Sequence, residues 1–288
     1  MYENFFGFTE KPFSVTPDTK YFFPSEKHEE ALNNLLFAVL DRKGFAVITG
    51  EIGSGKTTVW HTLLNKLDRN IKVALITNTH LTPKQMIMAI LDEFEIPYKD
   101  KWPKIKLLNH LNRFLIEQIS LGFNVVLVID EAQNLNASTL EEVRMLSNLE
   151  TEKEKLLQII LMGQPELRDI LSLKELEQLR QRIAVFYHLY PLNRDETRGY
   201  VIHRLHVAGA NGNMVFDGTA LDKIYEYSEG VPRRINTICD RALLTGFIRE
   251  QKTIPPEVID EVAKEINSIV ECRVQGRGYR VEAEKIDI

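Results

Sequence analysis

The run Gly50-Glu51-Ile52-Gly53-Ser54-Gly55-Lys56-Thr57 satisfies G-x-x-x-x-G-K-[ST] at every specified place. Glycines at these positions let the backbone curl until successive N–H groups point inward at anionic oxygens, and a helix opening at Lys56 adds its positive end. In such a loop Lys56 reaches the β- and γ-phosphates of a nucleoside triphosphate, and the Thr57 hydroxyl holds Mg²⁺. Residues 50–57 and the following Thr58 are therefore the expected cradle for ATP. A second acidic half is needed to complete the site, and Asp130-Glu131 supplies it at the end of the aliphatic run Val125-Val126-Leu127-Val128-Ile129. Asp130 is the expected second contact to Mg²⁺. Glu131 is placed to polarise the water that attacks the γ-phosphate.

Charge that redistributes on the phosphoryl group also calls for donors and cations around it. Gln164 closes the apolar run 156–163, where its amide either meets the γ-phosphate or serves the turn before Pro165. Arg180 and Arg182 flank Gln181 just ahead of another apolar run; they form a solvated face, or one of them projects into a neighbouring subunit's site as an arginine finger. Arg233 follows Gly230-Val231-Pro232 at the start of a helix, where a cation opposes the helix dipole and an anionic partner across a domain cleft would explain it. His203 and His206 share a helix face but lack a matching acid or cysteine pair, so packing or surface roles suit them better than metal binding. Trp60 and Trp102 read as packing residues.

The elements that must position these groups follow from periodicity. Apolar runs at 45–49, 71–77, 124–130, 156–163 and 185–189 read as strands, several of them apolar on both faces, which implies a parallel sheet covered by helices. Helical patterns at 83–94, 104–120, 138–149 and 174–181 alternate with them. In an open parallel sheet ligands sit beyond the carboxyl ends of the strands, which places the phosphate loop and Asp130-Glu131 together. From Arg194 onward only amphipathic helices follow, at 195–207, 217–228, 232–249 and 255–266. The chain thus divides into an arm and first helix packed on the core (1–44), an α/β nucleotide-binding domain (45–191), a helical lid (192–268) and a loosely held tail (269–288). The arm is dense in rings and prolines, among them Phe5, Phe6, Phe8, Phe13, Tyr21 and Phe22, and reads as an ordered segment packed across the domain, either a plain hydrophobic strap or one whose ring helps cover the adenine base.

With 288 residues, 44% of them hydrophobic and 27% charged, the chain can bury its own core. The net charge of −5 argues against a nucleic-acid binder that uses its whole surface and leaves a local basic patch open. Two cysteines without a CxxC pattern suggest neither a disulfide framework nor a zinc site. No membrane span or basic-then-apolar leader is seen, so the expected location is cytoplasmic, peripheral to the inner membrane at most through a partner.

The motifs taken together resemble one branch of the AAA+ ATPases, the general secretion pathway protein A (ExeA) type. The resemblance runs from Tyr2 to about Ile266. It is carried by Phe5-Phe6-Gly7-Phe8 with Lys11-Pro12-Phe13, by Ser25 with His28-Glu29-Glu30-Ala31-Leu32, by Thr49 through Thr58, and by Ile129-Asp130-Glu131-Ala132-Gln133-Asn134-Leu135. Leu161-Met162-Gly163-Gln164-Pro165-Glu166-Leu167, Leu179-Arg180-Gln181-Arg182-Ile183 and Gly230-Val231-Pro232-Arg233-Arg234-Ile235-Asn236 complete it. The resemblance implies a P-loop core sheet in strand order 5-1-4-3-2, an all-α lid, ATP and Mg²⁺ as ligands, and a homo-oligomeric ring in the ATP-bound state, a hexamer being one candidate size. It gives Gln164 the sensor-1 role, Arg182 the arginine-finger role with Arg180 as runner-up, and Arg233 the sensor-2 role. Longer secretion members add a transmembrane segment and a peptidoglycan-binding module. This chain stops before either, so the expectation is a short form that energises a secretion, pilus or exopolysaccharide assembly through a protein partner. The chain is also similar to ATPases that regulate transposition on DNA, which is the alternative.

Overall fold

A computed structural model describes residues 1–150, 154–210 and 214–275. The chain forms two compact units, one made of Pro17–Pro191 and the other of Met1–Thr16 together with the chain from Leu192. Among the described residues of the first unit, five strands form one parallel sheet: β1 (Phe45–Gly50), β2 (Ile71–Ile76), β3 (Asn124–Ile129), β4 (Gln158–Gly163) and β5 (Ile183–Leu189). Their order is β2-β3-β4-β1-β5, which is the expected 5-1-4-3-2 read from the other edge.

The three central strands are apolar at almost every position, and their alternation feeds two separate cores. Phe45, Val47, Val125, Leu127, Ile129, Ile159 and Leu161 point to one face, where Met86, Ile90, Leu111 and Val143 meet them. Ala46, Ile48, Val126, Val128, Ile160 and Met162 point to the other and pack on Leu32, Leu35, Trp60 and Leu63. Trp60 is thus a packing residue, wholly buried. The helices that bring these side chains in start where the sequence supplies caps. Ser25 caps 26–40, Thr82 and Gln85 form a capping box ahead of 83–93, and Asn136 caps 137–146. A helix not anticipated from periodicity, Glu166–Ser172, follows β4; the stretch 174–181, read as one short helix, is a 3-10 turn followed by Glu177–Arg180.

In the second unit the helices Arg194–Val207, Gly218–Ser228, Pro232–Ile248 and Pro256–Gln275 pack on one another. The last of them outruns its expected end: helix continues to Gln275, where the sequence reading placed a loose tail from 269, and 276–288 lie outside the described residues. The arm also departs from the expected division. Residues 1–44 were all expected on the sheet domain, yet Met1–Thr16 belongs to the helical unit. The reason is that its rings find their partners there. Tyr2, Phe6, Phe8 and Phe13 are buried, Phe13 meets Phe216 edge-on at 6.2 Å, and Phe5 meets Phe247 at 5.6 Å. Buried Arg204 fixes the strap by donating to the carbonyls of Pro12 (2.6 Å) and Ser14 (3.3 Å), and the Tyr2 hydroxyl donates to Asp240. From Pro17 the chain belongs to the sheet unit, where Tyr21 is buried and Phe22 lies against His28. No helix among the described residues is long and apolar enough to cross a membrane.

Candidate nucleotide site

Three neighbouring strands end together, and each delivers one part of the site. β1 runs into the loop 50–57, β3 into Asp130-Glu131 and β4 into Gln164; the registers Thr49↔Gly163 and Ile129↔Leu161 set the three ends level. The topology therefore converges residues more than a hundred positions apart in the chain.

The loop is shaped by its glycines and braced from behind. Gly53 and Gly55 are both left-handed, at φ 81° and 103°. A Cβ at Gly55 would stand 2.9 Å from His28 Nε2, so a side chain at that position would collide with the imidazole as well as strain the backbone. His28 is buried in the first turn of the helix Glu26–Leu40, and its Nε2–H donates to the carbonyl of Ser54 at 3.0 Å. A carbonyl only accepts, so Nε2 carries the proton, and in the neutral ring Nδ1 accepts from the Ser25 hydroxyl at 2.7 Å. Sequence reasoning placed His28 within the family signature but gave it no task. No local signal in the chain links it to a loop 26 residues away.

Lys56 opens the helix Lys56–Lys66 and is buried, with its ammonium donating to the carbonyls of Gly50 (2.7 Å) and Glu51 (3.0 Å). Burial lowers its pKa, while Glu131, Asp130, Glu51 and Glu166 pull it back up. The Ser54 hydroxyl is buried and has no hydrogen-bond partner among the described residues. The first-turn N–H groups of a helix have no intrahelical acceptor either. A glycine-shaped loop with a lysine, an unpaired buried hydroxyl and free helix-end amides is a donor set that fits a triphosphate.

The acidic half is arranged with two different electrostatic settings. Burial raises the Asp130 pKa, with the Glu131 charge adding to the effect, although the Glu131 N–H donates to Asp130 Oδ1 at 2.9 Å and Lys56 lies near. Burial also works on Glu131, but amide donors from Gln133 (2.5 Å) and Gln164 (3.0 Å) and the Lys56 charge outweigh it and hold its pKa below the ordinary value. The half-buried carboxylate of Asp130 and the hydroxyl of Thr57 suit a hard divalent cation. Gln164 reaches Glu131 directly, so it takes part in the acidic cluster in addition to ending its strand.

Within the sheet unit the arginines lie elsewhere. Arg182 immediately precedes β5, whose first residue Ile183 pairs with Phe45, the first of β1. It therefore stands at the amino end of the sheet, roughly 17 Å from the loop at about 3.3 Å per strand residue, beyond the reach of its side chain. There it is half-buried and donates to Ser147 at 3.2 Å. Arg180 is exposed and donates to the carbonyls of Leu171 and Ser172. Arg233 belongs to the helical unit and is exposed in the first turn of Pro232–Ile248, while its neighbour Arg234 pairs with Glu229 at 2.6 Å.

A family model described as an AAA domain matches residues 39–171, the span holding the loop, Asp130-Glu131 and Gln164. General secretion pathway protein A of Aeromonas hydrophila is 44% identical over 270 residues, 93% of this chain and 49% of that protein. Residues 39–171 match the AAA domain family. The resemblance read from the motifs to the general secretion pathway protein A type is matched by that identity, and the chain spans about half the length of this relative. Solved structures of low identity share the fold. Cdc6p from Pyrobaculum aerophilum superposes with a TM-score of 0.68 at 20% identity, covering 86% of this chain and 71% of that one. The Thermotoga maritima RuvB Holliday junction branch migration motor gives 0.57 at 18% identity, covering 88% and 73%.

Proposed function

We propose that this AAA+ chain is a Mg²⁺-dependent ATPase acting as a ring-forming assembly or energising factor for a secretion, pilus or exopolysaccharide system. The observation that carries the catalytic part is the convergence of Lys56, Asp130, Glu131 and Gln164 on the carboxyl ends of three adjacent strands, around a loop with unspent donors. Lys56 would exchange its carbonyl partners for phosphate oxygens, and Thr57 and Asp130 would hold Mg²⁺, which would supply positive charge to offset that of the phosphates. Glu131, kept ionised by its amide donors, would take the proton of the attacking water. Gln164 would sense the γ-phosphate. Arg182 lies too far along the sheet to act within its own subunit, which favours a role in a neighbour's site and hence an oligomer. Arg233 is the residue through which the helical unit would feel the nucleotide. The envelope-system assignment is supported by the identity to general secretion pathway protein A.

A second reading, a DNA-associated ATPase, is favoured by one surface feature. Lys99, Lys101, Lys104 and Lys106 are exposed within eight positions, with Lys106 over the Trp102 ring at 3.9 Å. Phosphate release and nucleotide binding test the first reading. Glu131→Gln should bind ATP while turnover falls by about a hundredfold or more, and Lys56→Ala should lose binding. Normal turnover in Glu131→Gln would remove the water-activating assignment. A salt-sensitive shift of duplex DNA with a non-hydrolysable ATP analogue would favour the second reading.

A further inference from the structure

Gln133 lies two residues beyond Glu131, in the 3-10 turn Ala132–Asn134, and both ends of its side-chain amide are engaged. Its Oε1 accepts the backbone N–H of Gln164 at 3.0 Å. Because that N–H can only donate, the contact fixes which way the amide faces. Nε2 is thereby turned to Glu131 and donates to Oε2 at 2.5 Å. The side chain of Gln164 donates to the same oxygen at 3.0 Å, which closes a ring through Glu131, Gln133 and Gln164. The strand end leaves room for it: a Cβ on Gly163 would stand 2.9 Å from Gln133 Oε1.

The backbone at Glu131 needs such a hold. Its φ and ψ of 51° and 39° are left-handed, a conformation that a residue with a side chain adopts at some cost and that persists where its surroundings impose it. Its carbonyl accepts from the Thr79 hydroxyl at 3.3 Å and its N–H donates to Asp130, but neither contact touches the carboxylate. The carboxylate is placed by the two amides alone among the hydrogen bonds described. Both fall on Oε2, so Oε1 is the oxygen left to receive a proton.

We propose that Gln133 is a positioning residue for hydrolysis: one amide locks the Glu131 carboxylate to the end of β4, so that the water-activating group and Gln164 move together. The proposal rests on the reading of Glu131 given above. It assigns work to a residue that the sequence reading quoted only as part of a motif. It also separates two functions of one side chain, an acceptor for the strand end and a donor for the carboxylate, and substitutions can divide them.

Gln133→Glu keeps the length and the acceptor oxygen but replaces the donor by a second carboxylate; Gln133→Met keeps the bulk and loses both. ATP turnover of the full chain is measured as kcat and KM, with nucleotide affinity read from a fluorescent ATP analogue and Glu131→Gln run alongside. Both Gln133 variants should bind nucleotide within about twofold of the parent while kcat falls by at least about tenfold. The fall should be larger in Gln133→Glu, where a second carboxylate meets Glu131, than in Gln133→Met. Parental kcat in either folded variant overturns the proposal, as does a loss of affinity that accounts for the whole loss of rate. If Glu131→Gln loses turnover while the Gln133 variants do not, only the positioning role fails. If Glu131→Gln turns over normally, the reading of Glu131 fails and the proposal with it.

Discussion

Asp130 and Glu131 are adjacent carboxylates with opposite settings, and the difference has a measurable consequence. Burial lifts the Asp130 pKa above the ordinary aspartate value. A carboxyl with a folded pKa above its unfolded one favours the folded state when protonated, so its contribution is present at low pH and is lost as pH rises through the raised value. In metal-free buffer at neutral pH the Asp130 charge is then a net cost, and Asp130→Asn should melt roughly 2–4 °C higher, as about 1 kcal/mol does in a domain of this size. Mg²⁺ and ATP should reverse the order, since only the parent gains the cation's binding energy. Thermal melts with and without Mg²⁺ and nucleotide check both halves, and a variant that melts lower in metal-free buffer argues against a carboxylate held ready for a cation. At this scale the sequence was informative where the chemistry is contiguous. The loop 50–57 and the acidic pair can be read off because each is a local string after an apolar run. His28 and Gln133 could not, because their tasks are contacts with Ser54 and Gln164, and spacing within one chain carries no record of which carbonyl an imidazole will meet.

At the scale of elements, strands buried on both faces announce themselves, and the parallel order follows from where the helices must lie. Ends are less legible. The last helix runs on to Gln275 although the apolar pattern fades near Ile266, and Glu166–Ser172 was hidden by its brevity. The arm shows a different limit: its rings state that it must be buried but not against what. The structure gives it to the helical unit, with Phe13 only 1% exposed and stacked edge-on to Phe216. Phe13→Ala should therefore cost about 3–5 kcal/mol and do so locally. Hydrogen exchange should rise in peptides from 194–275 while those of β1, β3 and β4 keep their protection. Exchange that rises first in the sheet strands would return the arm to the domain where the sequence reading had put it.

For the whole molecule the decisive geometry is the length of one strand. The phosphate loop follows β1 and Arg182 precedes β5, and since the two strands are parallel and in register, the arginine and the triphosphate cradle occupy opposite ends of the same sheet. A subunit so built does not reach its own loop with Arg182; on the reading proposed above a head-to-tail neighbour would supply it, and such a contact gives a ring where its rotation closes. This gives a test that does not depend on seeing the assembly. Glu131→Gln retains Arg182 but lacks the water-activating group; Arg182→Ala retains Glu131 but lacks the cation. Each alone should be nearly inactive. In an equal mixture with random neighbours, half of the sites have Glu131 and half of those face an intact Arg182, so turnover should recover to about one quarter of the parental rate. Recovery should depend on total protein concentration, as subunit exchange requires. A mixture no more active than the average of its components would show that Arg182 serves the folding of its own subunit, through Ser147, and would leave Arg180 as the cation to test next.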